Sequence, residues 1–253
     1  MIGKNTLTRI VIVTAVVAVV SLAIAGLIGF TAGGFDPRQA GRPGLSVDQR
    51  KTLDLVGVEL LSISSVGEEV RIVEGQSGSV EAWLHGTVSA EDRDAMPRLE
   101  AARNGTTAEI TAERERRFGF GPLWSNLVLE VSVPKGYAGR LTAKTVSADI
   151  EAGALSGDTT VHTTSGDVRV SFSAMPARLE ASSTSGTITL RLPADAGFTL
   201  DARSTSGDIS CKFPITVSES QTGGGRHALH GVVQAGAGKV LAHTVSGDIR
   251  IER

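Results

Sequence analysis

From about residue 140 onward, small or apolar side chains alternate with polar ones at a period of two, and a short glycine–aspartate element interrupts the alternation at intervals. A period of two is the mark of a half-buried β-strand. The interrupting element stands as Thr145-Val146-Ser147-Ala148-Asp149-Ile150, Thr163-Thr164-Ser165-Gly166-Asp167-Val168, Ser183-Thr184-Ser185-Gly186-Thr187-Ile188, Ser204-Thr205-Ser206-Gly207-Asp208-Ile209 and Thr244-Val245-Ser246-Gly247-Asp248-Ile249. Its central serines are 18, 20, 21 and 40 residues apart, so one unit is about 20 residues long and the last interval reads as two units. A fixed period of this length predicts stacked coils, each burying its apolar side only against its neighbours.

Aligned on that serine, the units share one in/out pattern. Six residues before it stand Leu141, Thr159, Leu179, Leu200 and Val240, and four before it Ala143, Val161, Ala181, Ala202 and Ala242. After the turn come Ile150, Val168, Ile188, Ile209 and Ile249, then Ala152, Val170, Leu190, Cys211 and Ile251. These suit the inside of a narrow coil. The positions between them carry Lys144, His162, Ser182, Arg203 and His243, and later Glu151, Arg169, Thr189, Ser210 and Arg250, all read as solvent residues.

The turn has its own chemistry. Glycine reaches positive φ without steric cost, and Ser and Asp side chains bond backbone amides that a bend leaves unpaired. Ser165, Gly166, Asp167, Ser206, Gly207, Asp208, Ser246, Gly247 and Asp248 are therefore assigned a structural, turn-forming role. The variant Leu155-Ser156-Gly157-Asp158 suggests a second corner in each coil.

Upstream the pattern is less regular. Short apolar runs at 58–63, 70–73 and 79–84 alternate with glycines, and strands are expected at 107–112 and 127–133, the latter stopped by Pro134. Residues 89–101 read as a helical turn or a charged loop. Residues 36–55, with Pro37, Gly41, Pro43 and Gly44, read as a linker. Ile10 to Phe35 carries no charge, and as a helix it would extend about 39 Å, enough to span a bilayer core. A cleaved signal peptide is the alternative, with Ala23-Ile24-Ala25 as its processing site; the apolar run continues past that site, which favours a retained anchor.

A repeated Thr-x-Ser-Gly-Asp-Ile after an amino-terminal apolar helix resembles the "putative adhesin" family of bacterial envelope proteins, a group of unknown function. The likeness covers roughly residues 56–253 and includes Gly231 and the Gly236-Ala237-Gly238-Lys239 stretch before the last turn. It implies a β-solenoid outside the cytoplasm and no established activity. The expected architecture is all-β: a single-stranded β-solenoid (β-helix) at 56–253, a linker at 36–55, and one transmembrane helix within 1–35.

Composition narrows the function. A net charge of −2 and a pI near 6.2 give no basic face for nucleic acid. Cys211 is the only cysteine and reads as a small core residue. The corner aspartates could line up as a calcium row or as the acid and base of a glycosidase. Neither reading is preferred, because the calcium β-roll signature is missing and a catalytic site usually breaks a repeat. His227 and His230 flank a glycine-rich loop without an evident third ligand. No cofactor and no metal are expected. Two surfaces are candidates for contact: the aromatic loop Phe118, Phe120 and Trp124, and an outward polar stripe of Lys144, His162, Arg203 and His243.

The resulting expectation is a single-pass cell-membrane protein whose external domain binds or scaffolds an envelope protein or glycan without catalysing a reaction. A polysaccharide-active enzyme and an envelope-stress signalling partner are the rival readings. The sequence leaves the oligomeric state open, although a last coil ending at Arg253 suggests end-to-end pairing.

Overall fold

The computed structural model describes residues 44–89, 96–113, 125–223 and 226–253. These contain nineteen strands and no helix, arranged as one nine-stranded and one ten-stranded sheet. Among the described residues no helix is long and apolar enough to cross a membrane, and the expected anchor at 10–35 lies outside them.

In chain order the strands are β1 (Gly44–Asp54), β2 (Leu60–Ser65), β3 (Glu69–Gly75), β4 (Ser79–Ser89), β5 (Arg98–Asn104), β6 (Thr107–Glu113) and β7 (Ser125–Pro134). The repeat region follows as β8 (Arg140–Thr145), β9 (Ile150–Leu155), β10 (Thr159–Ser165), β11 (Val168–Phe172), β12 (Arg178–Ser185), β13 (Ile188–Arg191), β14 (Phe198–Ser206) and β15 (Ile209–Cys211). A hairpin of β16 (Ile215–Gly223) and β17 (Arg226–Val233) precedes β18 (Gly238–Ser246) and β19 (Ile249–Glu252). Each hexad turn joins a strand of the ten-stranded sheet to a strand of the nine-stranded sheet, and like strands of neighbouring coils pair in parallel.

The rows read from the sequence lie in register. Leu141, Thr159, Leu179, Val240 and Leu200 are direct neighbours across the ten-stranded sheet. Ile150, Val168, Ile188, Ile249 and Ile209 are neighbours across the other. The first four isoleucine and valine side chains are fully buried, and each such burial stabilises by about 1.5–3 kcal/mol. Ile209 is only half-buried because β15 is the outermost strand of its sheet.

The corners bond one coil to the next. Thr163 Oγ1 donates to the Ala148 carbonyl (3.1 Å), Ser183 Oγ to that of Gly166 (3.2 Å), Thr244 Oγ1 to that of Gly186 (3.2 Å) and Ser204 Oγ to that of Gly247 (3.0 Å). In the opposite sense, Asp149 Oδ1 accepts from the Asp167 amide (2.8 Å), Asp167 Oδ1 from the Thr187 amide (2.8 Å) and Asp248 Oδ1 from the Asp208 amide (3.0 Å). These hydroxyls are buried, so each bond offsets a desolvation cost as well as fixing register. The glycines are fixed by the same closeness. Gly186 and Gly247 have φ of 154° and 148°, and a Cβ on either would collide with the carbonyl oxygen of the corner beneath, Gly166 and Gly186 respectively.

The stacking order differs from the chain order. Across the array the coils run β6–β7, β2–β3, β8–β9, β10–β11, β12–β13, β18–β19, β14–β15. The last coil in the chain is therefore interior, held between the two that the sequence reading made adjacent. The 40-residue interval holds no second coil; it contains the β16–β17 hairpin, which pairs antiparallel with β14 and covers that edge of the ten-stranded sheet. After β17 the chain turns across the start of β14, where the Gly238 amide bonds the Gly197 carbonyl at 3.0 Å, and enters the open slot. End-to-end pairing through a coil ending at Arg253 loses its basis, since that coil has neighbours on both sides.

Three upstream expectations also change. Residues 44–54, taken as linker, form β1, antiparallel to β4 along its whole length. Residues 98–101, the end of the expected helical turn or loop, belong to β5, which runs on to Asn104. A further corner, Ser65-Val66-Gly67-Glu68-Glu69-Val70, aligns with the hexad of β8–β9 through the pairs Ser64↔Lys144 and Val70↔Ile150. Here Glu68 is folded inward and buried, its Oε2 accepting from Ser65 Oγ (2.7 Å) and the Gly67 amide (3.1 Å). Ser65 Oγ also accepts from the Glu68 amide (3.1 Å), and Thr145 Oγ1 has no hydrogen-bond partner.

Gly186→Ala should destabilise the protein by roughly 2 kcal/mol or more, because a positive φ and a backbone clash act together. Ala148→Gly, at the one hexad corner where a Cβ is accommodated, should cost no more than about 1 kcal/mol. Chemical denaturation followed by circular dichroism checks both. Deleting residues 238–253 should abolish cooperative unfolding of the whole array, since it leaves a gap between β12 and β14; a truncated protein with a sharp transition would contradict the inserted-coil topology.

Candidate binding surfaces

The corner aspartates other than Asp208 are occupied. Besides the inter-coil amide bonds, Asp167 Oδ2 lies 2.6 Å from Arg169 Nη2 and Asp248 Oδ2 lies 2.6 Å from Arg250 Nη2. Asp158, at the second corner, accepts the Arg178 amide at 2.8 Å. Asp208, at the end of the row, is exposed and lies 3.6 Å from His227 Nδ1. Ser165, Ser206 and Ser246 sit exposed on the outer curve of their turns, with Gly166, Gly207 and Gly247 behind them.

The outward stripe exists on the ten-stranded sheet, in an order set by the inserted coil: Lys144, His162, Ser182, His243, Arg203. His162 Nδ1 is 2.8 Å from Ser182 Oγ. Partial burial, assisted by the Lys144 ammonium, lowers the His162 pKa from its usual value. Asp201 is the residue that sequence reasoning missed here. Its carboxylate is 3.0 Å from Arg203 Nε, 3.4 Å from His230 Nδ1 and 3.6 Å from His243 Nε2. The Arg203 contact follows from i, i+2 spacing on one strand face. The histidine contacts depend on strand order and have no local signature.

The outer face of the nine-stranded sheet carries a second row, whose members from Glu151 onward sequence analysis read only as solvent positions and whose Arg71 it left inside an apolar run. Arg71, Glu151, Arg169, Thr189, Arg250 and Ser210 are successive neighbours across the strands. Beside them Gly153 and Ser171 leave a shallow depression of about 530 Å³, also lined by Arg191 and Glu252. Arg71 Nη2 is 2.8 Å from Glu69 Oε1, so Arg71, Arg169 and Arg250 are all held by the carboxylate two residues earlier on the same strand. Glu252 accepts from Lys212 Nζ (2.8 Å) and Arg191 Nε (3.3 Å), which hold its carboxyl below the usual carboxylate range.

Further along the same sheet, Trp83 lies between Arg50, 4.2 Å above its ring, and His85, stacked at 3.9 Å, and its Nε1 donates to Asp48 Oδ1 at 2.7 Å. Phe118, Phe120 and Trp124, the expected aromatic contact loop, lie outside the described residues. Cys211 is half-buried on β15, and burial raises its thiol pKa, which disfavours the nucleophilic thiolate.

No curated protein matches the chain in sequence. Among solved structures it is similar to a putative cell adhesion protein from Clostridium sporogenes ATCC 15579, with a TM-score of 0.60 and 12% identity over 82% of this chain and 99% of that one. A putative adhesin from Bacteroides fragilis NCTC 9343 aligns at a TM-score of 0.30 and 11% identity, covering 81% and 97%. The first likeness shows a shared fold. The family model described as Toastrack DUF4097 matches residues 147–252, the stretch that carries all five hexads' serines. Over that stretch, which spans the repeat region from the first hexad to the last strand, the chain is similar to the Toastrack DUF4097 family.

Proposed function

We propose that this protein is a binding or scaffolding module of the bacterial cell envelope, a β-solenoid held outside the cell by a single membrane-spanning helix at 10–35. The observation that carries the reading is the register of the coils: it presents matching outward side chains side by side on two broad faces, a format suited to an extended partner. The fold shared with a putative cell adhesion protein supports an adhesin-like role, and the uncharged run from Ile10 to Phe35 supports the tether. Binding without catalysis is favoured because Asp149, Asp167 and Asp248 each commit an oxygen to a backbone amide of the adjacent coil. Those oxygens are already engaged inside the array, whereas glycoside cleavage needs two carboxyl groups free to face the scissile bond.

Two measurements test this. After alkaline carbonate washing of a host membrane fraction the full chain should stay with the bilayer, and protease added to spheroplasts should digest its array. Recovery in the soluble fraction, or protection from external protease, would refute the tethered external placement. Incubated with isolated envelope glycans, the protein should co-sediment with them and release no reducing ends; release that disappears with Asp167→Asn would overturn the binding reading in favour of an enzyme.

A further inference from the structure

We propose that the outer face of the nine-stranded sheet is a binding track for a linear acidic polysaccharide, laid across the strands, that carries one negative charge for every two sugars. The assignment rests on the module reading above and adds to it a site and a ligand class.

The spacing comes first. Arg71, Arg169 and Arg250 occupy alternate rungs, with Glu151 and Thr189 on the rungs between. Adjacent strands are about 4.8 Å apart, so the guanidinium groups recur at roughly 9.6 Å along a line perpendicular to the strands. A polymer on that line meets a cation at every second rung and a neutral or acidic hydrogen-bonding group between.

The arginines are also pre-arranged. Each is gripped through Nη2 by the carboxylate two residues before it, at 2.8, 2.6 and 2.6 Å for Arg71, Arg169 and Arg250; Arg169 Nη1 also reaches Asp149 Oδ2 at 3.4 Å, and Arg71 Nε lies 3.8 Å from Glu151 Oε2. The Asp167 and Asp248 carboxylates are themselves fixed by amides of the next coil. A guanidinium has five N–H donors in a planar fork, so each arginine, which lines the depression, keeps donors beyond those its carboxylates take and has little rotational freedom left to lose. The side chains are 39%, 53% and 45% exposed and remain accessible to a ligand.

The intervening groups select the class. Glu151 repels a polyanion charged at every unit, such as a nucleic acid or polyphosphate, yet its carboxylate accepts hydrogen bonds from sugar hydroxyls. Thr189 offers a hydroxyl on the next intervening rung. Gly153 and Ser171 keep the floor low, which gives the 530 Å³ depression room for pyranose rings. Arg191, on the same strand as Thr189, adds a fourth cation, partly neutralised by Glu252.

The probe is a set of hyaluronan oligosaccharides, in which uronate alternates with N-acetylhexosamine, titrated calorimetrically into the detergent-solubilised full chain. Neutral cello-oligosaccharides and polyphosphate serve as controls. Hyaluronan should bind in a salt-dependent manner and better than either control. Arg169→Gln and Arg250→Gln should each weaken it about tenfold, the effect of losing one charge-assisted hydrogen bond. Arg178→Gln, on the opposite sheet, should leave it unchanged, and Glu151→Gln should improve polyphosphate binding. Hyaluronan should also protect Arg71, Arg169 and Arg250 of the unaltered protein from phenylglyoxal, a readout that stands even if a variant misfolds. Wild-type affinity in a folded Arg169→Gln/Arg250→Gln protein, no phenylglyoxal protection, or equal binding of polyphosphate would each overturn the assignment. Should that double variant still co-sediment with envelopes, the track is wrong while the module reading survives.

Discussion

Everything in this molecule depends on the close approach of successive corners. Where one turn lies on the next, there is no room for a side chain at Gly186 or Gly247, and the backbone groups exposed by the bend find partners only in the adjacent coil. The aspartate reaches one way along the stack and the buried hydroxyl the other. Together they set the register of both sheets, and register in turn keeps Ile150, Val168, Ile188 and Ile249 in one dry column. A slip by one residue would turn every inward side chain to solvent, so the corner bonds and the apolar rows specify the same alignment.

That mutual agreement explains what could be read from the chain alone. The alternation of small and polar residues around each hexad is a local signal, and it located the inward rows, the corners and the all-β class. Stacking order is not local. Nothing in Thr244–Ile249 distinguishes a coil at the end of the array from one wedged between β12 and β14, because all coils offer the same edges. The corner at Ser65–Val70 escaped for a different reason: its buried Glu68 closes the turn from within, so the residues differ while the geometry is kept. β1 was hidden by composition, as its Arg50, Lys51 and Asp54 look like a linker but suit the exposed outer strand of a sheet.

The same gap in the signal hid the sites. Lys144, His162, Arg203 and His243 were recognisable as outward positions, but their neighbours were not: Asp201 meets His230 and His243 only because a hairpin and the last coil flank β14 on opposite sides. The arginine row on the other sheet is more hidden still. Its alternate-rung spacing arises because β19 takes the place next to β13, which puts Arg250 on the rung directly after Thr189 and ahead of Ser210. A repeat therefore sets which residues face outward, while the order of the rungs decides what pattern of charge those residues make.

The interior seat of β18–β19 also constrains the timing of folding. A solenoid whose rungs follow one another can harden progressively behind an advancing chain. Here the slot between β12 and β14 stays vacant until β18 and β19 arrive, so the rungs on either side of it have to wait for a segment that follows them both in the chain. An array built in this way gains its continuous interior late, when residues 238–252 enter the slot, and not rung by rung as its strands are made.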